Sequence, residues 1–309
     1  MRPVSNRCPA GLSIGLMKLL GPLLLALAVV GARADDLPPL NTSPTGFMLP
    51  GKMIWADLYA KNPTPEIQFY TTLFGWKAES DNRPNGVLYT VLSNDQVPVA
   101  GVVSRPPPKG DRGRGHWVNY IAVDDVNQVL ATATSLGGKI VHPAKMIPQR
   151  GTQAIMADSQ KSLLGIIHSS SGDPDDTEPA VGTWAWVHLS ARNPAAASQF
   201  YQTVLGYKAE QDTRDGRQDV FLLVSQGFTR ASIGPIPDRP EAYPDWLGFV
   251  RVENIDDTVS KATGLGAHVL VAPKAAEDGI RLAVLADPAD VAIGIVEMAN
   301  PTALQTRTP

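Results

Sequence analysis

The sequence predicts an α+β protein of two tandem homologous domains, each made of two paired βαβββ modules. Three observations carry this. First, residues 55–79 (WADLYAKNPTPEIQFYTTLFGWKAE) and 186–210 (WVHLSARNPAAASQFYQTVLGYKAE) align without a gap at a spacing of 131, and 13 of the 25 positions are identical. Second, two later stretches repeat at a spacing of 129: 123–138 against 252–267, and Ala157-Asp158 through Gly165-Ile166 against Ala286-Asp287 through Gly294-Ile295. A period this long marks duplicated domains, because solenoid repeats span only about 20–50 residues. Third, short β-branched runs alternate with single amphipathic helical segments, and turn residues separate them.

The elements follow in order. Met53–Tyr59 reads as a strand. Asn62-Pro63-Thr64-Pro65-Glu66 is a helix start, with Asn or Thr as the cap and proline in the first turn. Ile67, Tyr70 and Phe74 lie at helical spacing, and Gly75 ends the helix. Val87–Leu92 and Val97–Val103 are strands, and Pro106-Pro107-Pro108 breaks the chain. Trp117–Val123 is a strand. Val126–Leu136 is a helix whose stripe is Val126, Val129, Leu130 and Ala133, and Gly137-Gly138 stops it. Lys139–Val141, Gln153–Ala157 and Leu164–Ile167 complete the second module, and the repeat carries the same order into the second domain. The domains span 51–168 and 184–299. Residues 35–50 read as an extended proline-rich linker, 169–183 as an exposed polar connection, and 300–309 as a tail.

The chain has 309 residues, 43% hydrophobic and 18% charged, which is enough apolar content for two cores and excludes a disordered chain. Lys+Arg 27 against Asp+Glu 30 gives no basic excess, so nucleic acid is not an expected partner. The apolar run 19–31 follows Lys18 and precedes the small-x-small pattern Ala32-Arg33-Ala34, so residues 1–34 read as a secretory signal peptide. Met17 is an alternative start. Cleavage after Ala34 leaves 275 residues of net charge −7, without the lone Cys8 and without a membrane-inserted segment. The expected location is therefore the periplasm or the exterior, where a cysteine-free chain is at home.

Paired βαβββ modules with an N-P-x-x-x-x-F-Y-x-x-x-x-G-[WY] first helix and a late A-D-x-x-x-x-x-x-G-I turn resemble the vicinal oxygen chelate superfamily. This is the glyoxalase, bleomycin-resistance and extradiol-dioxygenase group. The resemblance implies two glyoxalase-like domains, each a curved eight-stranded sheet around a cup. It also implies that metal-using members place ligands on the first, fourth, fifth and eighth strands. Here those positions fall on Trp55 and Trp186, on Ala100-Gly101 and Ser232-Ile233, near Val118 and Leu247, and on Gly165 and Gly294. None is a His or a carboxylate, so no cofactor is expected and a divalent metal is disfavoured.

Other residues then become the candidates. Asp57 and His188 hold matched positions two residues beyond Trp55 and Trp186, on the same face of the first strand. Trp117 and Trp246 also correspond. The expected site is thus an aromatic cup with one ionisable group, Trp55, Asp57 and Trp117 in one domain and Trp186, His188 and Trp246 in the other, holding a small aromatic or apolar molecule. The alternative is a lyase, isomerase or dioxygenase using Asp57 and His188 for acid–base chemistry or in a metal set with His168 and Glu297. Strand parity puts His168 and Glu297 on the opposite face. His116 reads as part of a solvated loop with Arg112 and Arg114, and His142 and His268 as surface residues.

Overall fold

The computed structural model describes residues 37–83, 87–105, 115–213, 219–238, 242–275 and 279–298. The leader, the tail, Arg112 and Arg114 lie outside the described residues.

Each repeat forms one sheet. The first contains β1 (Met53–Ala60), α1 (Thr64–Phe74), β2 (Lys77–Asn82), β3 (Leu88–Asn94), β4 (Val97–Ser104), β5 (His116–Ala122), α2 (Val126–Ser135), β6 (Lys139–Ile147), β7 (Gly151–Ala157) and β8 (Leu163–Ser169). The second contains β9 (Trp184–Ala191), α3 (Pro194–Leu205), β10 (Lys208–Gln211), β11 (Phe221–Ser225), β12 (Phe228–Pro235), β13 (Asp245–Val252), α4 (Ile255–Gly264), β14 (His268–Ala275), β15 (Arg281–Ala286) and β16 (Ala292–Glu297). The strand orders are β2-β3-β4-β1-β5-β8-β7-β6 and β10-β11-β12-β9-β13-β16-β15-β14. In both sheets the two modules join through an antiparallel pair at the centre, β1 with β5 and β9 with β13. Both sheets are therefore open and curved, with a cup on one face and helices on the other.

Local chemistry sets the ends of the elements. Asp125, Asn193 and Asn254 cap α2, α3 and α4 by accepting backbone N–H bonds. α1 differs: Pro63 holds the cap position with helical dihedrals and no side-chain cap bond, so neither Asn62 nor Thr64 performs the expected role. Gly75 and Gly206 end α1 and α3 in the left-handed region, at φ 76° and 71°. β2 escaped the sequence pattern because KAESDN has no apolar alternation. It is an edge strand exposed along its whole length, where charge guards against edge-to-edge pairing.

The helices lie between the sheets, and the core there mixes the repeats. One cluster joins α2 and its strands to Phe200, Tyr201, Val204 and Trp246 of the second repeat. The other joins Phe69, Tyr70, Trp76 and Trp117 to Val250, Ile255, Leu285 and Ile295. The repeated Phe-Tyr and Ala-Asp motifs meet here. Tyr70 donates to Asp287 Oδ2 at 2.9 Å and accepts from Trp117 Nε1 at 3.0 Å. Tyr201 donates to Asp158 Oδ2 at 3.0 Å and accepts from Trp246 Nε1 at 2.8 Å. The other oxygen of each carboxylate closes its own turn, Asp158 Oδ1 on the amides of Gln160 and Ser162, Asp287 Oδ1 on those of Ala289 and Val291. Burial raises both carboxyl pKa values, and these bonds oppose the rise.

The stretches read as an extended linker and an exposed connection are packed in part. Residues 37–50 are no free linker: Leu37 and Leu40 are buried against the first sheet. Residues 41–49 bond to the inter-repeat connection, through Asn41 Nδ2 to the Gly172 carbonyl at 2.6 Å, Thr45 N to the Ser171 carbonyl at 3.0 Å and Leu49 N to Asp173 Oδ2 at 2.6 Å. That connection is accordingly buried at Ser171 and Asp173. Asp176 beyond it pairs with Arg230 and with Lys52.

The Tyr–Asp bonds predict matched losses. Tyr70→Phe and Tyr201→Phe each remove one donor from a buried carboxylate. Each is expected to cost about 1–3 kcal/mol in urea unfolding, with near-additive loss in the double variant.

Candidate functional site

The cup of the second sheet is an open cavity of about 610 Å³. Trp186, Leu247, Phe249, Leu282, Val284 and Val296 form its apolar wall. Its central polar group is built from two strands in register, since His188 on β9 pairs with Ser232 on β12. Ser232 Oγ lies 3.1 Å from Trp186 Nε1 and 2.8 Å from His188 Nδ1. The indole N–H can only donate, so the hydroxyl accepts it; we assign the hydroxyl's own proton to Nδ1, the tautomer that leaves no donor idle. That assignment leaves Nε2–H as the free end of the imidazole, a donor toward the cup. Desolvation pushes the His188 pKa down to about 4, so the ring is neutral at physiological pH.

The cup of the first sheet has the same frame and different contents. Trp55, Val118, Tyr120, Ile155 and Ile167 stand where Trp186, Leu247, Phe249, Val284 and Val296 line the cavity. Here the indole of Trp55 donates to Asp57 Oδ1 at 2.8 Å, and Tyr89 donates to the same oxygen at 2.7 Å. Gly101 pairs with Asp57 on β4, where the second sheet has Ser232. A Cβ at Gly101 would collide with the Tyr89 hydroxyl and with Asp57 Oδ1, so this glycine clears the space the pair occupies. Arg150 is fully buried, its guanidinium 4.1 Å from the Trp55 ring centroid. Leu40 is buried in one apolar cluster with Trp55 and Tyr120, and Leu37 in another with Tyr89 and Val103.

The structure divides the sequence candidates. Trp55, Asp57, Trp186 and His188 are on the cup faces. Trp117 and Trp246 are not: they lie on the helix side and are spent on Tyr70 and Tyr201, because β5 and β13 turn those positions into the core between the sheets. Asp57 and His188 sit in different sheets, and among the described residues no cluster of three His, Cys, Asp or Glu brings them together. His168 bonds the Val123 carbonyl through Nδ1 at 3.1 Å, and Glu297 accepts the first amide of α4, Ile255 N, at 2.8 Å. The set Asp57, His168, His188 and Glu297 is therefore not assembled. His116 is no loop residue. It begins β5, is buried, and places Nε2 3.5 Å from Asp245 Oδ1. His142 stacks on Tyr59 with centroids 6.4 Å apart.

Sequence comparison agrees with this architecture. Residues 52–163 match the Glyoxalase/Bleomycin resistance protein/Dioxygenase superfamily, and residues 186–296 match a glyoxalase-like domain family. The chain belongs to the glyoxalase/bleomycin resistance/dioxygenase superfamily. It is 26% identical over 246 residues to CFP32 of Mycobacterium tuberculosis, a protein named as a glyoxylase, covering 79% of this chain and 94% of that one. It is 26% identical over 260 residues to the anthracycline biosynthesis protein DnrV of Streptomyces peucetius, covering 81% and 94%. Its fold is similar to the Mn(II)-bound glyoxalase from Novosphingobium aromaticivorans (TM-score 0.56, 15% identity, 82% of this chain and 84% of that one). It is likewise similar to the 2,3-dioxygenase LapB from Pseudomonas sp. KL28 (TM-score 0.54, 14% identity, 83% and 96%).

The metal that the superfamily resemblance implies does not fit the residues present. At the eighth-strand positions Gly165 and Gly294, a Cβ would strike the rings of Tyr120 and Phe249, which fill that space. Among the described residues no three His, Cys, Asp or Glu side chains converge. The residues that sequence reasoning missed are Ser232, Tyr89 and Arg150. Ser232 was legible in principle, because the repeat fixes which β12 residue faces His188. Arg150 was not, since its repeat partner by spacing is Gly279.

Two outcomes follow. Gly101→Ala is expected to destabilise the protein by about 1–3 kcal/mol in denaturant unfolding, as overpacking does. His188 has a folded pKa below its unfolded value of about 6.5, so the unfolded chain binds more protons between pH 4 and 6.5. Stability falls as pH drops through that window. His188→Gln is expected to flatten the fall by on the order of 1 kcal/mol when unfolding is measured at pH 4.5 and 7.

Proposed function

We propose that this superfamily member is an exported small-molecule-binding protein that works without a metal and takes a flat, largely apolar ligand into the cup of the second sheet. One observation carries the reading: an open apolar cavity whose central polar group is a neutral imidazole held by Ser232. A cavity of about 610 Å³ suits a ligand of drug size. Trp186 supplies a face for stacking, and His188 Nε2–H supplies one hydrogen bond to a carbonyl or hydroxyl oxygen of the ligand. A neutral ring is the fitting choice there, because an apolar ligand covering a charged group would leave it desolvated. The name of the anthracycline biosynthesis relative is compatible with a polycyclic ligand. Export rests on the leader read from residues 1–34. Among the described residues no helix is long and apolar enough to cross a membrane.

The test uses 1-hydroxyanthraquinone and tryptophan fluorescence. Saturable quenching is expected, with Trp186→Phe removing most of it and His188→Leu weakening binding about tenfold. Quenching that does not saturate, or that Trp186→Phe leaves intact, would overturn the site. Binding is expected to survive exhaustive chelation, and about one tightly held divalent ion per chain would sink the metal-free reading. N-terminal sequencing of protein recovered outside the cytoplasm is expected to begin at Asp35.

A further inference from the structure

The first cup holds part of its own chain. Its wall matches the wall of the open cup position by position, yet Leu37 and Leu40 are buried in it, at 6% and 3% exposure. These residues belong to neither βαβββ module. Residues 41–49 are tied to 171–173 by backbone and side-chain bonds, whereas 37–40 are held by apolar contact and a single bond, Arg150 Nε to the Pro38 carbonyl at 3.1 Å. Arg150 is the second, independent sign. Its side chain is fully buried and stacked on Trp55, and neither Nη1 nor Nη2 has a hydrogen-bond partner among the described residues. A buried guanidinium with two unpartnered Nη groups is costly, and paired groups of this kind match the two oxygens of a carboxylate. Asp57 does not meet that need, since Arg150 makes no bond to it and its Oδ1 is already taken by Trp55 and Tyr89.

We infer that the first cup is a second binding site, for an apolar molecule bearing a carboxylate, and that residues 37–40 are its displaceable intramolecular occupant. Leu37 and Leu40 stand in for the apolar body, while the Pro38 carbonyl accepts from Nε and leaves both Nη groups without an acceptor. A ligand displaces the strap about the anchored residues 41–49, lays its apolar part on Trp55 and Tyr120, and gives both Nη atoms an acceptor. Among the described residues that line the second cup there is no equivalent cation, so the two cups select differently. The inference does not depend on the second cup binding anything.

The test uses the full chain, with 2-naphthoate and its neutral analogue 2-naphthamide as probes. The strap competes with ligand, so apparent affinity scales with the open fraction. Leu37→Ser/Leu40→Ser is expected to tighten 2-naphthoate binding roughly tenfold. Arg150→Gln in that background is expected to abolish the gain for naphthoate while leaving naphthamide unchanged. Hydrogen exchange locates the event without any variant. In the wild-type chain, saturating naphthoate is expected to speed exchange at the Leu37 and Leu40 amides, the two that the strap carries, and to protect β1 and β5. Unchanged or slower exchange at Leu37 and Leu40 under saturation would overturn the inference, as would a gain that survives Arg150→Gln. Protection confined to β9 and β13 would assign the probe to the second cup and equally refute a first-cup site.

Discussion

The architecture hangs on a bond made twice, from a helix tyrosine of one repeat to a turn aspartate of the other. Tyr70 reaches Asp287, and Tyr201 reaches Asp158. Each carboxylate is buried, and each is kept affordable by three donors, two turn amides and the phenol. Loss of either repeat would leave the partner with an underbonded buried carboxylate and an exposed face of aromatic and aliphatic side chains. The two repeats are therefore separate in sequence and sheet but share one hydrophobic interior, with clusters that draw on both.

That shared interior explains which repeated residues match and which diverge. Phe69-Tyr70 and Phe200-Tyr201, Trp117 and Trp246, and Asp158 and Asp287 all face inward, where a change on one side must be answered across the interface. The cup faces carry no such obligation. There the pair Asp57 and Gly101 replaces His188 and Ser232 at the same register, and each pair satisfies the neighbouring indole N–H in its own way. In one cup a carboxylate oxygen accepts the indole and the glycine leaves room for it. In the other the serine hydroxyl accepts the indole and passes the bond to the imidazole.

Much of this was legible in the sequence, for physical reasons. Gap-free repetition over 25 residues located both domains, and the β-branched runs and glycine stops located most strands and helices. Strand alternation put Asp57 and His188 beside their tryptophans and set His168 and Glu297 on the other face. The same alternation could not decide which face of β5 and β13 was the cup, because both faces of a strand buried on both sides are apolar. Trp117 and Trp246 were misread for that reason. β2 was invisible because an edge strand needs no apolar pattern. Residues 37–50 looked like a linker because proline-rich composition reports backbone stiffness, and says nothing of a leucine pair finding a concave apolar face.

The difference between the cups follows from the charge of their central group. An aspartate on an apolar wall needs donors on its oxygens, and the first cup supplies them from Trp55 and Tyr89 and then sets Arg150 over the indole. Leu37 and Leu40 cover the apolar rim of that cup and gain hydrophobic burial, which offsets the cost of leaving Arg150 Nη1 and Nη2 without acceptors. The second cup carries a neutral imidazole, whose polar needs are met by one hydroxyl, so it stays stable while open to solvent. In both, aromatic rings from β5 and β13 fill the eighth-strand position over a glycine. The sheet thereby gives up one place from which a metal ligand could project and gains a continuous aromatic wall, a surface better suited to holding a flat molecule than to polarising one.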